Sequence, residues 1–238
     1  TQSARWGWAA PQSLALWGGS LFALGSLLVV ERRAAVPFVE LGLFRNRQYN
    51  AAMVVIAAQN FCLFGLLLAL PIYLIQVQGR SSQEAGLLVL PLPLIMSVVA
   101  PFAGRLADAW GSRRTCTMGM ATMLLGGLGL LSLRPAQGAL PWYGLAAGLL
   151  VVGAGMGLTQ SPVTLAVTGI VPQAQMGVAT GIFHMGRFVS GSLGTTVFGL
   201  ILSMEAGGMA VGFQRNLGVV VAAAGVALLA SRLLPGRL

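Results

Sequence analysis

The chain has 238 residues, of which 56% are hydrophobic and only 8% charged, with a formal net charge of +9. A soluble domain carries about a quarter charged residues, so so few charges exclude an ordinary water-soluble fold. The apolar richness excludes disorder. A bilayer removes the demand for polar surface, and 33 glycines suit close helix approach in a membrane. The excess positive charge does not indicate nucleic acid. All basic residues are Arg, set singly or in pairs between apolar runs, which is the pattern of membrane topology signals rather than of a phosphate-binding stripe. Cys62 and Cys116 lie far apart in apolar surroundings and form neither a disulfide framework nor a metal pattern.

A membrane helix needs about 20 largely apolar residues. Seven segments meet that measure: Gln12–Val30, Ala51–Val77, Ala85–Ala109, Thr115–Leu133, Leu140–Val167, Met176–Ser203 and Leu217–Leu234. Several exceed one straight span, so tilt or kinking is expected. Pro71, Pro91, Pro93, Pro101 and Pro162 lie inside them, where neighbouring helices can satisfy freed carbonyls. The chain begins at Thr1, and its first apolar run is followed by Glu31-Arg32-Arg33 rather than a small-residue cleavage site. It therefore reads as part of a longer protein.

The connections sort by charge. Arg32, Arg33, Arg45, Arg47, Arg105, Arg113, Arg114, Arg232 and Arg237 fall on one side, and Arg5, Arg80, Arg134 and Arg215 on the other. Nine against four places the first group in the cytoplasm by the positive-inside rule. The N-terminus is then expected outside and the C-terminus inside. The longest connection, between Glu31 and Asn50, contains the apolar stretch Pro37-Phe38-Val39-Glu40-Leu41, suited to the cytoplasmic interface. It marks a boundary, giving a linker helix with its connection over 1–50 and a six-helix bundle over 51–238.

The strongest local signal follows the third segment: Gly104-Arg105-Leu106-Ala107-Asp108-Ala109-Trp110-Gly111-Ser112-Arg113-Arg114. Gly104 and Gly111 permit close approach and turn conformations. Asp108 can accept from backbone N–H groups at a helix N-terminus, and Arg113 and Arg114 hold the turn on the positive side. This segment resembles the loop signature Gly-x-Leu-Ala-Asp-x-x-Gly-x-Arg-Arg of the major facilitator superfamily. Other stretches resemble its fourteen-helix drug/proton antiporter branch. They are Leu70-Pro71-Ile72-Tyr73-Leu74 through Gly79, Ala85-Gly86-Leu87-Leu88-Val89-Leu90-Pro91 and Gly153-Ala154-Gly155-Met156-Gly157. The run Val171-Pro172 through Gly177-Val178-Ala179-Thr180-Gly181, followed by Arg187, Gly191 and Gly194, belongs with them. So do Glu31-Arg32-Arg33, Pro37 and Leu43-Phe44-Arg45-Asn46-Arg47.

The resemblance implies an all-α membrane protein of seven transmembrane helices. The last six would form the C-terminal bundle of such a transporter, and an N-terminal half would lie outside this sequence. It implies secondary active transport rather than catalysis, with a substrate site between two halves near mid-membrane. It further implies proton-coupled export of drugs or other small amphipathic molecules, driven by the proton gradient with no cofactor. The expected partners are a small-molecule substrate, the lipid bilayer and the other half of the same chain, with no nucleic acid. The expected location is the cytoplasmic membrane. An exporter of a narrow natural substrate (siderophore, peptide or biosynthetic product) fits the same resemblance. A membrane transferase fits less well, because Asp108 stands alone and the one histidine has no nearby acidic partner. A retinal-type receptor would need a lysine for its Schiff base, and there is none.

The candidate substrate-cavity residues are Gln59, Asn60 and Phe64 in the second segment and His184 and Arg187 in the sixth. Gln59 and Asn60 with Phe64 and Phe61 combine amide and aromatic character, which suits amphipathic cations or, equally, interhelical hydrogen bonding. Arg187 lies about 16 Å along its helix from the cytoplasmic end, and a charge at that depth is a functional candidate or a snorkelling one. His184, three residues before it, shares its face. Asp108 with Gly104, Gly111, Arg113 and Arg114 forms the candidate gating loop. No Asp or Glu sits deep in any span, so a titrating carboxylate is expected mainly in the other half. Gly153, Gly157 and Ser161, and Gly186, Ser190 and Gly194, recur every four residues as helix-packing ridges. No metal site is expected.

Overall fold

The computed structural model describes residues 18, 19, 25, 45–135, 141–204 and 207–236. The chain divides into two compact units, Thr1–Gly42 and Leu43–Leu238. The first expected span, Gln12–Val30, and the connection after it lie outside the described residues apart from scattered positions. The second unit is all-helical among its described residues, with six helical spans long and apolar enough to cross a membrane. The count of seven spans thus rests at six described.

Helix α1, Arg47–Gln76, starts where the Asn46 side chain accepts from Gln48 N–H at 2.9 Å, satisfying donors that a helix start leaves free. It carries Pro71 inside. The next span is one apolar run broken in two: α2, Ser82–Val89, and α3, Pro91–Trp110. Ser81 and Glu84 close a reciprocal cap at the start of α2. The break falls at Leu90, where Pro91 and Pro93 withhold two N–H groups from the ladder. Leu90 itself keeps helical φ and ψ of −51° and −37°, and its N–H and carbonyl still bond Gly86 O and Leu94 N–H.

Gly111, at φ 89°, then turns the chain directly into α4, Ser112–Ser132. That φ is open to glycine and costly for other residues. Helix α5 spans Trp142–Ile170, with Pro162 inside. A 3-10 turn at Gln173–Gln175 leads into α6, Met176–Met204. Gly208, also at φ 89°, precedes α7, Met209–Ser231.

The last helix corrects the expected start at Leu217. Gln214, Arg215 and Asn216 are helical, two turns inside the element. Their polarity hid the apolar turn before them, from Met209 to Phe213. Asn216 is buried and donates from Nδ2 to the Phe198 carbonyl of α6 at 3.1 Å, so its cost in an apolar interior falls.

The helices contact in a definite order: α5 runs parallel to α3 and antiparallel to α4, and α1 runs parallel to α6. α5 packs most extensively on α4 and α3, α1 on α6 and α7, and α4 also lies along α7. The core is therefore built around α1, α4, α5 and α7, with Tyr49, Tyr73, Phe213, Met120 and Met123 among its largest buried side chains and Phe183 and Phe198 of α6 packed into it. The α2–α3 span and α6 are the outlying pair. Only 17% and 28% of their most apolar windows is buried, against 50% for α1.

The two ends of the bundle are tied differently. At the end holding the start of α1 and the α3–α4 turn, Tyr49 Oη donates to Ala179 O at 3.0 Å. At the other end Tyr73 Oη donates to Pro135 O at 3.2 Å, and its ring stacks on Phe213 with centroids 4.3 Å apart.

Candidate functional site

The α1–α5 seam holds the buried polar chemistry. Gln59 has no exposed surface. Its Nε2 donates to Met156 O at 3.1 Å and to Gln160 Oε1 at 2.9 Å, and its Oε1 accepts from Thr159 Oγ1 at 2.7 Å. Because a carbonyl can only accept, the Met156 bond fixes which end of the Gln59 amide is nitrogen. That in turn fixes Gln160: its oxygen accepts from Gln59, so its NH2 group is not used in that bond. Gln160 is partly buried. Sequence reasoning missed it, although it lies in the run of α5 between the Gly157 and Ser161 contacts. Asn60 is buried and donates to Ile56 O of its own helix at 2.9 Å. Gln59 and Asn60 thus spend their hydrogen bonds inside the bundle.

Phe64 is placed differently. It is 38% exposed and lines a shallow hollow of about 110 Å³ with Phe188, Gly191, Ser192 and Thr195 of α6. Gly191 makes the hollow possible, since a Cβ there would stand 2.8 Å from the Phe64 ring. His184 is exposed and meets the Phe183 ring edge-on at 5.8 Å. It shares with Phe188, Gly191 and Thr195 the helical spacing of one stripe. Arg187 is half-buried in mid-helix between that stripe and the α1-packing residues Phe183, Ser190 and Gly194. Among the described residues its guanidinium has no acidic partner; the ion pair present is Arg80 with Glu84, at 3.9 Å. The structure thus brings Phe64, His184 and Arg187 to one region of the α1–α6 face. It sets Gln59 and Asn60 behind that face.

The residues of the two expected packing ridges have these surroundings. A Cβ on Gly153 would stand 2.5 Å from Leu92 O, and one on Gly157 2.9 Å from Met96 O. Ser161 Oγ donates to Ala100 O at 3.0 Å. One stripe of α5 therefore lies directly on the α3 backbone. On α6, Gly194 abuts the Phe61 carbonyl, Ser190 is buried, and Gly186 faces only the Met53 side chain, 2.7 Å from a built Cβ. A third seam was not anticipated. Gly119 and Gly126 of α4 meet Gly155 O and Val152 N of α5, at 2.8 and 2.7 Å from built Cβ atoms. Its small residues are seven apart on α4, a spacing that a search for four-residue repeats passes over.

In the loop signature, Gly111 supplies the positive-φ turn. Gly104 has room, with a built Cβ 3.9 Å from Ser161, so close approach is not what it provides. Asp108 is exposed and has no hydrogen-bond partner among the described residues, so the expected helix-terminus contact is absent there. Arg113 and Arg114 are exposed at the start of α4. Arg113 N–H donates to Pro235 O at 3.1 Å, tying the turn to the segment after α7.

The chain is similar to known transporters. The multidrug resistance protein Stp of Mycobacterium tuberculosis is 28% identical over 197 residues, covering 83% of this chain and 36% of Stp. The tetracycline resistance determinant of Streptomyces rimosus is 30% identical over 216 residues, covering 88% of this chain and 60% of that protein. The chain thus spans between about a third and three fifths of these relatives' lengths. In shape it is similar to a solved bacterial homologue of the human drug peptide transporters PepT1 and PepT2. The TM-score is 0.65 at 16% identity, over 77% of this chain and 41% of that one, a likeness of fold alone. The family model for the Major Facilitator Superfamily matches residues 4–195. The chain, all-helical among its described residues, belongs to the Major Facilitator Superfamily.

Proposed function

We propose that this chain is the C-terminal part of a proton-coupled exporter of drugs or other small amphipathic molecules. Residues 51–238 form its C-terminal bundle and residues 1–50 a linker helix with its connection. The observation that carries the reading is the α1–α6 face. It is aromatic and shallow, with Phe64 and Phe188 exposed, and it has a half-buried arginine in mid-helix without an acidic partner among the described residues. A charge at that depth needs water or a counter-charge. In a transporter of two halves, a wet central cavity supplies the first and the facing half the second. The relatives' names, a multidrug resistance protein and a tetracycline resistance determinant, support drug export.

In this reading Phe64 and Phe188 offer ring faces to a lipophilic cation, the Gln160 NH2 group offers a donor, and Arg187 borders the cavity. Gln59 and Asn60 position the wall. The α3–α4 turn, with Gly104, Asp108, Gly111, Arg113 and Arg114, is the gating loop. Its end of the bundle faces the cytoplasm, which puts Arg80 and Arg134 outside. The protein resides in the cytoplasmic membrane and draws on the proton gradient.

Among the described residues the acids Glu84 and Asp108 lie at helix ends, so the proton-carrying carboxylate belongs to the other half. The test is flux of a lipophilic cationic dye into vesicles holding the full-length protein under an imposed pH gradient. Gradient-driven movement that stops when the gradient is collapsed is expected. Folded protein that moves no dye contradicts the drug-export reading and points to a narrow natural substrate.

A further inference from the structure

The end of the bundle with the α3–α4 turn carries a hollow of about 480 Å³, lined by Trp110, Arg113, Arg114, Thr117, Met118 and Arg232. Its walls come from two places far apart in sequence, the start of α4 and the end of α7. They are fixed together by the Arg113 N–H bond to Pro235 O at 3.1 Å and by the Thr117 and Ser231 hydroxyls, 3.0 Å apart. Three arginines thus line one concavity held between two helix ends. No acid lines it, and among the described residues none of the three is ion-paired. Like charges gathered this way repel unless an anion sits among them. Arginine forks match phosphate oxygens two at a time.

The surroundings say what the anion is attached to. Trp110 and Met118 are each 45% exposed, and Leu233 beside Arg232 is 57% exposed. These apolar surfaces begin at the ends of membrane-spanning helices, the depth at which tryptophan sits among headgroups. A soluble anion has no use for such a wall, whereas a lipid presents phosphate and acyl chain together. Basic pockets between membrane helices on the cytoplasmic side suit anionic lipid headgroups.

We propose that this hollow binds an anionic phospholipid, its phosphate held by Arg113, Arg114 and Arg232 and its glycerol and upper acyl region lying along Trp110 and Met118. Thr117 offers a further hydroxyl donor. The site is separate from the α1–α6 face, so it stands or falls independently of what the protein transports.

The test is native mass spectrometry of the full-length protein in nonionic detergent, titrated with phosphatidylglycerol or with phosphatidylcholine. The wild type is expected to prefer phosphatidylglycerol. The R113Q/R114Q/R232Q variant is expected to bind it roughly tenfold more weakly, with phosphatidylcholine binding unchanged. R80Q/R134Q, which removes charge from the opposite end, is expected to stay within about twofold of wild type. Equal losses in the two variants, or a wild type without preference, overturn the proposal. So does complete displacement of phosphatidylglycerol by millimolar inorganic phosphate, which marks a soluble-anion site. Should the triple glutamine variant fail to stay monodisperse, R113K/R114K/R232K keeps the charge but not the fork. It is expected to retain the preference at reduced affinity, and its binding phosphatidylglycerol no better than phosphatidylcholine overturns the proposal.

Discussion

Helices α5 and α6 are both 29 residues long, and both carry small residues at four-residue spacing, yet the bundle uses them in opposite ways. Around α5 the small residues meet backbone on two sides: the α3 carbonyls of Leu92 and Met96, and the α4 segment from Gly119 to Met123. On α6 one side packs on α1, while Met185, Phe188, Val189 and Leu193 are more than half exposed. The same pattern therefore specifies a locked interior helix in one case and a helix with a free face in the other. What separates them is the far side of each helix. α5 buries a second small-residue stripe against α4, whereas the side of α6 carrying Met185, Phe188 and Val189 stays exposed.

The largest effect that sharpens this contrast belongs to Gly155. A side chain there collides with the Met123 and Gly119 backbones at once, and helix backbones cannot retreat without separating. Gly155→Leu is expected to destabilise the bundle by roughly 3 kcal/mol, read as lost monodisperse protein or a lower melting temperature in detergent. Gly186→Ala meets only the tip of Met53 and is expected to stay within about 1 kcal/mol of wild type. Equal losses at the two sites, in the same melting assay, would erase the distinction between locked and free.

Next comes the polar clamp of the locked side. Gln59→Leu removes three hydrogen bonds between α1 and α5 and frees the Gln160 amide. A loss of about 1–2 kcal/mol is expected from thermal unfolding. Drug affinity is expected to change too, because Gln160 is no longer oriented. A melting temperature unchanged from wild type would show that the amide is dispensable to the seam.

Smaller still in stability are changes on the free face. Phe64→Ala and Arg187→Gln are each expected to leave melting within about 1 kcal/mol of wild type while lowering dye flux in vesicles several-fold. Arg187→Gln with wild-type flux would leave the arginine a snorkelling or structural one. The ends differ in the same graded way. Tyr73→Phe, which loses the bond to Pro135 O but keeps the stack on Phe213, is expected to cost about 0.5–1 kcal/mol in unfolding.

The spans were legible because a bilayer demands long apolar runs, and the break at Leu90 between α2 and α3 because prolines withhold donors. The start of α7 was not legible: Gln214, Arg215 and Asn216 look like a loop until Asn216 finds the Phe198 carbonyl across the interface. Of the candidate site, the charged member could be read from residue type alone, since an arginine such as Arg187 is costly inside a membrane span, whereas Phe64 is an ordinary residue there. That Gln59 and Asn60 turn inward, and that Gln160 meets Gln59, depends on which stripe of α1 and α5 meets which neighbour. The mixed composition of both helices, apolar on nearly every side, conceals that. The lone Asp108 was read as a helix-terminus contact by its spacing, yet it is exposed without a partner among the described residues. A motif reports residue order more surely than it reports contacts.

The contrast between locked and free faces is tested most directly by solvent access in the full-length protein. Single Phe188→Cys and Leu229→Cys variants would be treated with a membrane-impermeant maleimide, the buried Cys62 and Cys116 serving as silent background. Both positions are highly exposed in the bundle, 71% and 63%, so burial within it does not separate them. If the free face of α6 borders a water-filled transport cavity, the cysteine at 188 is labelled, a transported drug slows its labelling, and the cysteine at 229, facing lipid, stays unmodified. Equal silence at both positions would put the α6 face in the lipid and contradict the account.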